Sequence, residues 1–318
     1  MEAFFVQDPS VSTALNELEL TRKYIARMNI QGIACIALAV LVFIAGNSFA
    51  GVEIGVVLGL CALIPGIVFL SRAGSRSGAY KSGFKQKVIG AALTRMDSSL
   101  SMQPDQGIPE HEFVSSRLFV TEPDRYNAED LVVGKAGKTG FYFSEVHAEY
   151  KTEVRTKNGT RTEWHDILSG IVFCADFNKD FRGFTVVRPQ DIGSKLGGWF
   201  SKHVFSFGSN DVVELENEAF SKLFITHSTD QVEARYILTP ALMERICKLN
   251  ELCAYTVSLS FIDSRMYIAF PLDRNYFEPP VFTSLLKPGI LDHDLNILRF
   301  MYNIVKDLDL NTRIWTKQ

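Results

Sequence analysis

The sequence predicts an α+β protein: a two-helix transmembrane hairpin followed by a cytoplasmic domain with a mostly antiparallel sheet and C-terminal helices. Three observations predict it. Two apolar runs, residues 29–45 and 52–70, are parted by a Gly46-Asn47-Ser48 turn and carry almost no charge. Runs of this length bury in lipid what a small core cannot, and two of them make a hairpin. Beyond residue 110, apolar and polar residues alternate with a period of two between clusters of turn residues. Helical periodicity returns toward the C-terminal end, where the fold closes on helices.

Residues 1–28 read as an N-terminal amphipathic cytoplasmic helix, with Val11, Leu15, Leu18 and Ile25 on one side and Glu17, Glu19, Arg22 and Lys23 elsewhere. The transmembrane hairpin occupies residues 29–71. Arg22, Lys23 and Arg27 precede it, and Arg72, Arg76, Lys81, Lys85 and Lys87 follow it, whereas the loop at 46–51 has no Lys or Arg. The positive-inside bias therefore places both flanks, and with them both termini, in the cytoplasm. Glu53 sits at the outer mouth, where it stays wet. A cleaved signal peptide fits poorly, because a long polar stretch precedes the first run and no charged n-region adjoins a small-residue cleavage site. Cysteine usage agrees with a reducing compartment: Cys35 and Cys61 lie in the spans, and Cys174, Cys247 and Cys253 form no metal or redox spacing.

Residues 72–109 read as a basic juxtamembrane helix and a linker. Tyr80, Phe84 and Val88 recur every four residues beside Lys81, Lys85 and Lys87, which makes those three lysines candidate lipid contacts at an anionic leaflet. The plainer reading, and the favoured one, is a stalk helix whose lysines satisfy the topology rule. Residues 98–109, rich in Ser, Gln, Pro and Gly, form the linker.

Residues 110–318 are the cytoplasmic α+β domain. From 142 to 155 the chain alternates, with Tyr142, Val146, Ala148, Tyr150 and Val154 on one face and Glu145, His147, Glu149, Lys151 and Glu153 on the other. A two-residue turn at Asn158-Gly159 sets Lys157 opposite Thr160, and so Lys151 opposite Asp166, Tyr150 opposite Ile167 and Val146 opposite Ile171. Residues 171–175 continue the partner strand, and 184–187 give a third that stops at Arg188-Pro189. The stretch 190–210, glycine-rich around Trp199 and Phe200, reads as a long mobile loop. A strand at 212–215, a helix at 216–223 and a strand at 224–226 follow. Ser228 with Gln231 starts one capped helix, and Thr239-Pro240 opens a second that runs to about 252. Residues 255–261 and 266–270 make a hairpin. In the closing helix, about 291–308, Leu291, Leu295, Leu298, Tyr302 and Val305 trace a seam expected to pack on the sheet in preference to forming a zipper.

Several chemistries are excluded. A net charge of −3 and a pI near 6.1 leave no global basic field, so no nucleic-acid partner is expected. Gly134-Lys135-Ala136-Gly137-Lys138-Thr139 ends like a phosphate loop, but Val132 stands where the first glycine belongs and a strand follows in place of a helix. A hairpin turn is expected there. Glu145, His147 and Glu149, with His165 nearby, offer metal-ligand types. Successive same-face residues on a strand stand about 7 Å apart, too wide for tight chelation without a further ligand reaching between them, and a solvated charged face is expected. Asp176, Asn178 and Asp180 mimic a calcium loop, yet Phe181 and Val187 occupy the essential Gly and Glu positions. No Ser or Cys sits in a nucleophile elbow. No catalytic residue, cofactor or metal is assigned, and an enzyme is less expected than a binding module.

A set of motifs carries a family resemblance: Phe143-Ser144-Glu145-Val146-His147-Ala148-Glu149, Gly170-Ile171-Val172-Phe173, the run Ser228-Thr229-Asp230-Gln231-Val232-Glu233-Ala234-Arg235-Tyr236, and the closing Leu310-Asn311-Thr312-Arg313-Ile314-Trp315. Together they resemble DUF3137, a family of bacterial membrane proteins of unknown function. The resemblance implies a protein of the bacterial inner membrane with a cytoplasmic domain and no assigned activity, and it points to a LemA-like membrane protein as a partner. The signature itself reads as a capped helix-turn-helix corner. The functional alternative is an interaction groove lined by Arg182, Arg188, Trp199 and Arg235. The leading expectation is a membrane-anchored scaffold that binds a protein partner or self-assembles. Its rivals are a lipid-sensing domain of pleckstrin-homology or tubby-like kind, and an enzyme with a lid at 190–210 using His147, Glu149 or His203.

Overall fold

Both apolar runs lie within helices much longer than a bilayer requires. In the computed structural model, which describes residues 9–49, 51–156, 159–177, 179–190 and 211–310, helix α1 (Pro9–Phe49) has 41 residues and α2 (Val52–Phe84) has 33. At 1.5 Å per residue these measure about 60 and 50 Å, against about 30 Å of hydrocarbon. Both are long and apolar enough to cross a membrane. Helix α2 continues through a π-helical turn (Lys85–Ile89) into α3 (Gly90–Met96). The amphipathic N-terminal stretch is thus not a separate element: no Gly or Pro lies between residues 10 and 31 to break it, so it runs unbroken into the apolar helix.

The chain divides into two compact units, Met1–Ala92 with Phe277–Leu295, and Leu93–Tyr276 with Asn296–Gln318. In the first, α1 and α2 pack antiparallel at small residues. A Cβ added to Gly66 would stand 2.9 Å from Cγ1 of Ile36, and one at Gly59 would stand 3.1 Å from Phe43, so the backbones approach as small residues allow in apolar helix pairs. The outward side chains of this stretch are exposed, Leu41 by 63% and Ile64 by 61%. Away from it the helices bury Val11, Leu15, Leu18 and Ile25 on α1 and Tyr80, Phe84 and Val88 beyond the second run, the periodic residues the sequence singles out, together with Ile89. The segment Phe277–Leu295 is fastened here. Tyr80 donates to the Pro280 carbonyl (2.8 Å), Arg22 donates to the Val281 carbonyl (2.8 Å), and Glu19 accepts the Leu285 N–H (3.0 Å).

The second unit is built on a sheet. In chain order its elements are β1 (Ser101–Gln103), α4 (Glu110–Ser115), β2 (Arg125–Ala136), β3 (Thr139–Thr156), β4 (Gly159–Asp176), β5 (Thr185–Pro189), β6 (Val212–Val213), α5 (Glu218–Leu223), β7 (Phe224–Ser228), α6 (Gln231–Ile237), α7 (Pro240–Glu251), β8 (Ser258–Ile262) and β9 (Arg265–Pro271). Helix α8 (Asp292–Asp307) has its first turn in the first unit and the rest in the second. The nine strands form one antiparallel sheet in the order β1-β2-β3-β4-β9-β8-β5-β7-β6. The α+β class read from the sequence is the observed one.

Both faces of the sheet are packed. On one, Val146, Ala148, Val172, Cys174 and Ala269 meet Phe113 of α4 and the flanking Leu118 and Phe119. On the other, Tyr302 and Phe300 of α8 meet Phe141 and Phe270 with ring centroids 6.1 and 5.5 Å apart. The seam of α8 therefore packs on the sheet. The would-be phosphate loop is a hairpin turn, with Ala136 paired to Thr139.

Several local expectations are corrected. Thr156 pairs with Gly159, so the turn falls one residue earlier than Asn158-Gly159 and each partner shifts by two: Lys151 faces Trp164, not Asp166. Asn158 itself lies outside the described residues, as do the stretch 191–210, Asn178 and the closing motif from Asn311. A bulge between Ala148 and Glu149 then shifts the pairing by one, so Val146 meets Gly170. Val154, expected on the buried face, is exposed. The presumed linker contains edge strand β1, and β5 runs on to Pro189, which pairs with Phe224. Helix α6 is capped by Asp230 instead of Ser228: the Asp230 carboxylate accepts the N–H groups of Val232 (2.9 Å) and Glu233 (3.0 Å), while Ser228 Oγ accepts the Asp230 N–H. Asp230→Ala is expected to cost about 1 kcal/mol, read as a lower thermal midpoint of the full chain in detergent micelles.

Candidate functional site

Strand pairing gathers polar residues on one face of β2, β3 and β4. Directly opposite residues share a face, and here Arg125, Asn127 and Glu129 stand beside Glu149, His147 and Glu145, which stand beside Asp166, Ser169 and Ile171. This is the face α8 covers further along at Phe141. At the polar end a cleft of about 350 Å³ opens, with Glu129, Glu145, His147 and Ser169 across its floor and Arg274 and Asn275 on its wall. Glu145 is buried there and accepts the Tyr276 N–H at 2.6 Å. The Leu272 N–H donates to the Ser169 carbonyl (2.9 Å), holding the chain after β9 against the cleft.

Two bulges shape this surface. Between Glu129 and Val132 the register of β2 shifts, and Asp130 takes a left-handed φ of 61°. Oxygens of Glu129, Asp130 and Glu145 come within 4.8 Å of one another. The bulge at Ala148/Glu149 does the same for His147, Glu149 and Asp166. His147 Nε2 lies 3.7 Å from Glu149 Oε2 and 4.0 Å from Asp166 Oδ1. The backbone spacing of about 7 Å between same-face residues does not prevent this: the His147 and Glu149 side chains converge from β3, and the extra residue of the bulge, Ile167 on β4, sets Asp166 opposite Glu149. His165, considered with this group from the sequence, points to the other face, where it stacks on Tyr150 (5.1 Å) and hydrogen-bonds Thr152. Asp166 takes its place. The only signal in the sequence for Asp166 was its charge, and the expected register spent that charge on Lys151.

A second polar cluster has no local sequence signal at all. Glu112 of α4 accepts from the hydroxyls of Tyr142 and Tyr267 and is ion-paired to Arg265 at 3.1 Å. Its members are up to 155 residues apart in the chain. Cys174 lies beneath, and burial pushes its thiol up to about 12. A thiol held protonated in this way is a structural residue, not a nucleophile. Burial pushes Cys253 up to about 12 as well.

The lysines proposed for lipid contact are met within the first unit. Lys81 and Lys85 both pair with Glu278, at 2.7 and 3.1 Å, and Lys85 is buried, while Lys87 pairs with Glu17 at 2.9 Å. The arginines proposed for a groove have separate surroundings. Arg235 lines a cleft of about 320 Å³ with Leu215, Asn217, Leu238 and Met243. Arg188 donates to His227 Nε2 (2.9 Å), and burial lowers its guanidinium from the ordinary value. Arg182 is exposed, and its N–H donates to Glu233 (3.2 Å). Trp199 and His203 lie outside the described residues. Within the signature, Glu233 accepts the Arg182 and Gly183 N–H groups and pairs with Lys179 (3.6 Å), and Thr229 Oγ1 accepts the Phe184 N–H (3.1 Å). These contacts tie the loop after β4 to α6, which supports the structural reading of the motif.

No curated protein matches the chain. Among solved structures, the crystal structure of the mycobacterial trehalose monomycolate transport factor A, TtfA, aligns over 68% of this chain and 92% of its own at 10% identity, with a TM-score of 0.34. A likeness of that strength carries no inference about fold or function. Residues 166–310, from the middle of β4 to the end of the described chain, match the model of the family described as "Protein of unknown function (DUF3137)", the family that the sequence motifs resemble.

Proposed function

We propose that the chain is a membrane-anchored interaction module of the bacterial inner membrane, with both termini cytoplasmic, which docks a protein partner or a second copy of itself. The observation that carries the reading is the apolar jacket of α1 and α2. Its outward Leu and Ile side chains are exposed over a length that matches a bilayer and are covered by nothing among the described residues. The glycine contacts between the two helices suit a hairpin in lipid, where close backbone approach replaces the hydrophobic effect as the force between helices. Loss of positive charge from the 46–51 loop and its abundance on both flanks support the orientation. The helices extend beyond the apolar stretch by about 20 residues on the α1 side, or roughly 30 Å, enough to rise clear of the lipid headgroups. Protonated buried thiols and the dispersed arginines favour binding over catalysis.

Two measurements test it. The protein should resist alkaline extraction from membranes, and a cysteine placed at Asn47 should react with an impermeant thiol reagent in intact cells, while one at Ser98 should react only after permeabilisation. Labelling of Ser98 from outside would overturn the orientation. Crosslinking in native membranes should capture one reproducible partner, a LemA-like protein being the first to examine, or a homo-oligomer. A monomer without partners would overturn the docking function.

A further inference from the structure

We infer that His147, Glu149 and Asp166 form a binding site for a divalent transition-metal ion of the zinc, manganese or iron class. Zinc holds imidazole nitrogen and carboxylate oxygen at about 2.0–2.2 Å, which in a tetrahedron separates neighbouring ligand atoms by about 3.3–3.5 Å. His147 Nε2 already stands 3.7 Å from Glu149 Oε2 and 4.0 Å from Asp166 Oδ1, and all three ligand atoms fall within 4.8 Å of one another. Rotamer adjustments of well under 1 Å close such a gap without moving backbone. The bulge contributes the third ligand: its extra residue, Ile167 on β4, sets Asp166 opposite Glu149 and within reach of His147.

The donor set selects the ion. One imidazole with two carboxylates suits zinc, manganese or ferrous iron, whereas magnesium and calcium take oxygen alone. Three protein ligands and a half-exposed His147 leave room for a water or a ligand group in the remaining positions. An outer shell is also present. Arg125 reaches Glu149 at 3.7 Å and is itself held over the Trp164 ring at 3.4 Å, which limits the carboxylate's freedom. His147 lines the 350 Å³ cleft, so an ion bound there faces the space in which a partner's side chain or a small anion would dock.

The test uses the full chain in detergent micelles, titrated by calorimetry with zinc and, separately, with manganese. One equivalent should bind saturably, and His147→Ala and Asp166→Asn should each weaken binding by more than the roughly 10–100-fold typical of losing an outer-shell partner. Cobalt substitution should give a visible d–d spectrum that His147→Ala abolishes. Because both residues are half-exposed, circular dichroism and the thermal midpoint of each variant should match the parent. Glu129→Gln separates this site from the neighbouring acidic cluster: retained binding supports the assignment. Binding that survives His147→Ala and is lost in Glu129→Gln overturns it, as does the absence of saturable binding by either metal at millimolar concentration.

Discussion

Gly170→Ala is expected to be the most damaging single-methyl addition in the sheet, destabilising the second unit by about 3 kcal/mol or more. Gly170 sits on β4 opposite Pro271, where the chain leaves β9. A Cβ there would stand 2.0 Å from the Phe270 carbonyl oxygen and 3.0 Å from the Leu272 nitrogen. Both obstacles are backbone, so no side-chain rotation relieves them. The strands must part or Phe270 must leave its pairing with Ile171, and that pairing seats the ring packed on Phe300 of α8. Ser169→Ala, one residue earlier, keeps the backbone contact with Leu272 and should stay within about 0.5 kcal/mol of the parent. Urea unfolding of the full chain in micelles distinguishes the two. Equal midpoints for Gly170→Ala and Ser169→Ala would mean that β4 and β9 are less closely paired than the geometry shows.

That contrast also marks what the sequence made legible. Alternation in β3 and β4, the turn at Gly137-Lys138 and the seam of α8 are local patterns, and each gave the right element because one period or one turn chemistry suffices to specify it. The register of the β3–β4 hairpin failed for a different reason. Two placements of the turn bury the same alternate residues, since a shift of two preserves the faces. Pattern alone therefore does not choose between them, and the bulge at Ala148/Glu149 adds a step that no residue type announces. The candidate metal site rests on that bulge, which is why the sequence argued against chelation while the fold assembles it. Glu112 with Tyr142, Tyr267 and Arg265 shows the other limit: partners drawn from α4, β3 and β9 share no spacing. The anchor was read correctly as two apolar helices, but not their unbroken extension. Amphipathic and apolar stretches differ in composition and not in backbone preference, so the change of composition at residue 28 does not tell whether the helix continues across it.

Within that extension, Glu19→Gln should cost the first unit about 3–5 kcal/mol, far more than an ordinary helical ion pair would. Glu19 and Arg22 are three residues apart on α1, and an exposed pair at that spacing contributes only about 0.3–0.5 kcal/mol. Here both are buried, with side chains 4% and 9% exposed, and two hydrogen bonds of 2.8 Å join them. Removing one charge leaves the Arg22 guanidinium without its counter-charge in a site where water cannot replace it. The hydrogen bond from Arg22 holds the Glu19 carboxyl well below the usual range, at about 2. Because the folded value lies below the unfolded one, the pair's contribution is complete above about pH 4.5. It falls as pH drops from there toward 2, so parent and variant should converge in stability with acidification. Gln keeps an oxygen for the Leu285 N–H, so the loss reports on charge more than on the tie to Phe277–Leu295. The double variant Glu19→Gln with Arg22→Gln, which buries no net charge, should recover part of the stability lost in Glu19→Gln alone. A single variant no less stable than the double, or a gap to the parent that persists at pH 2, would show that the pair is solvated. The tie of Phe277–Leu295 to the helices would then rest on the Tyr80 contact and on apolar packing.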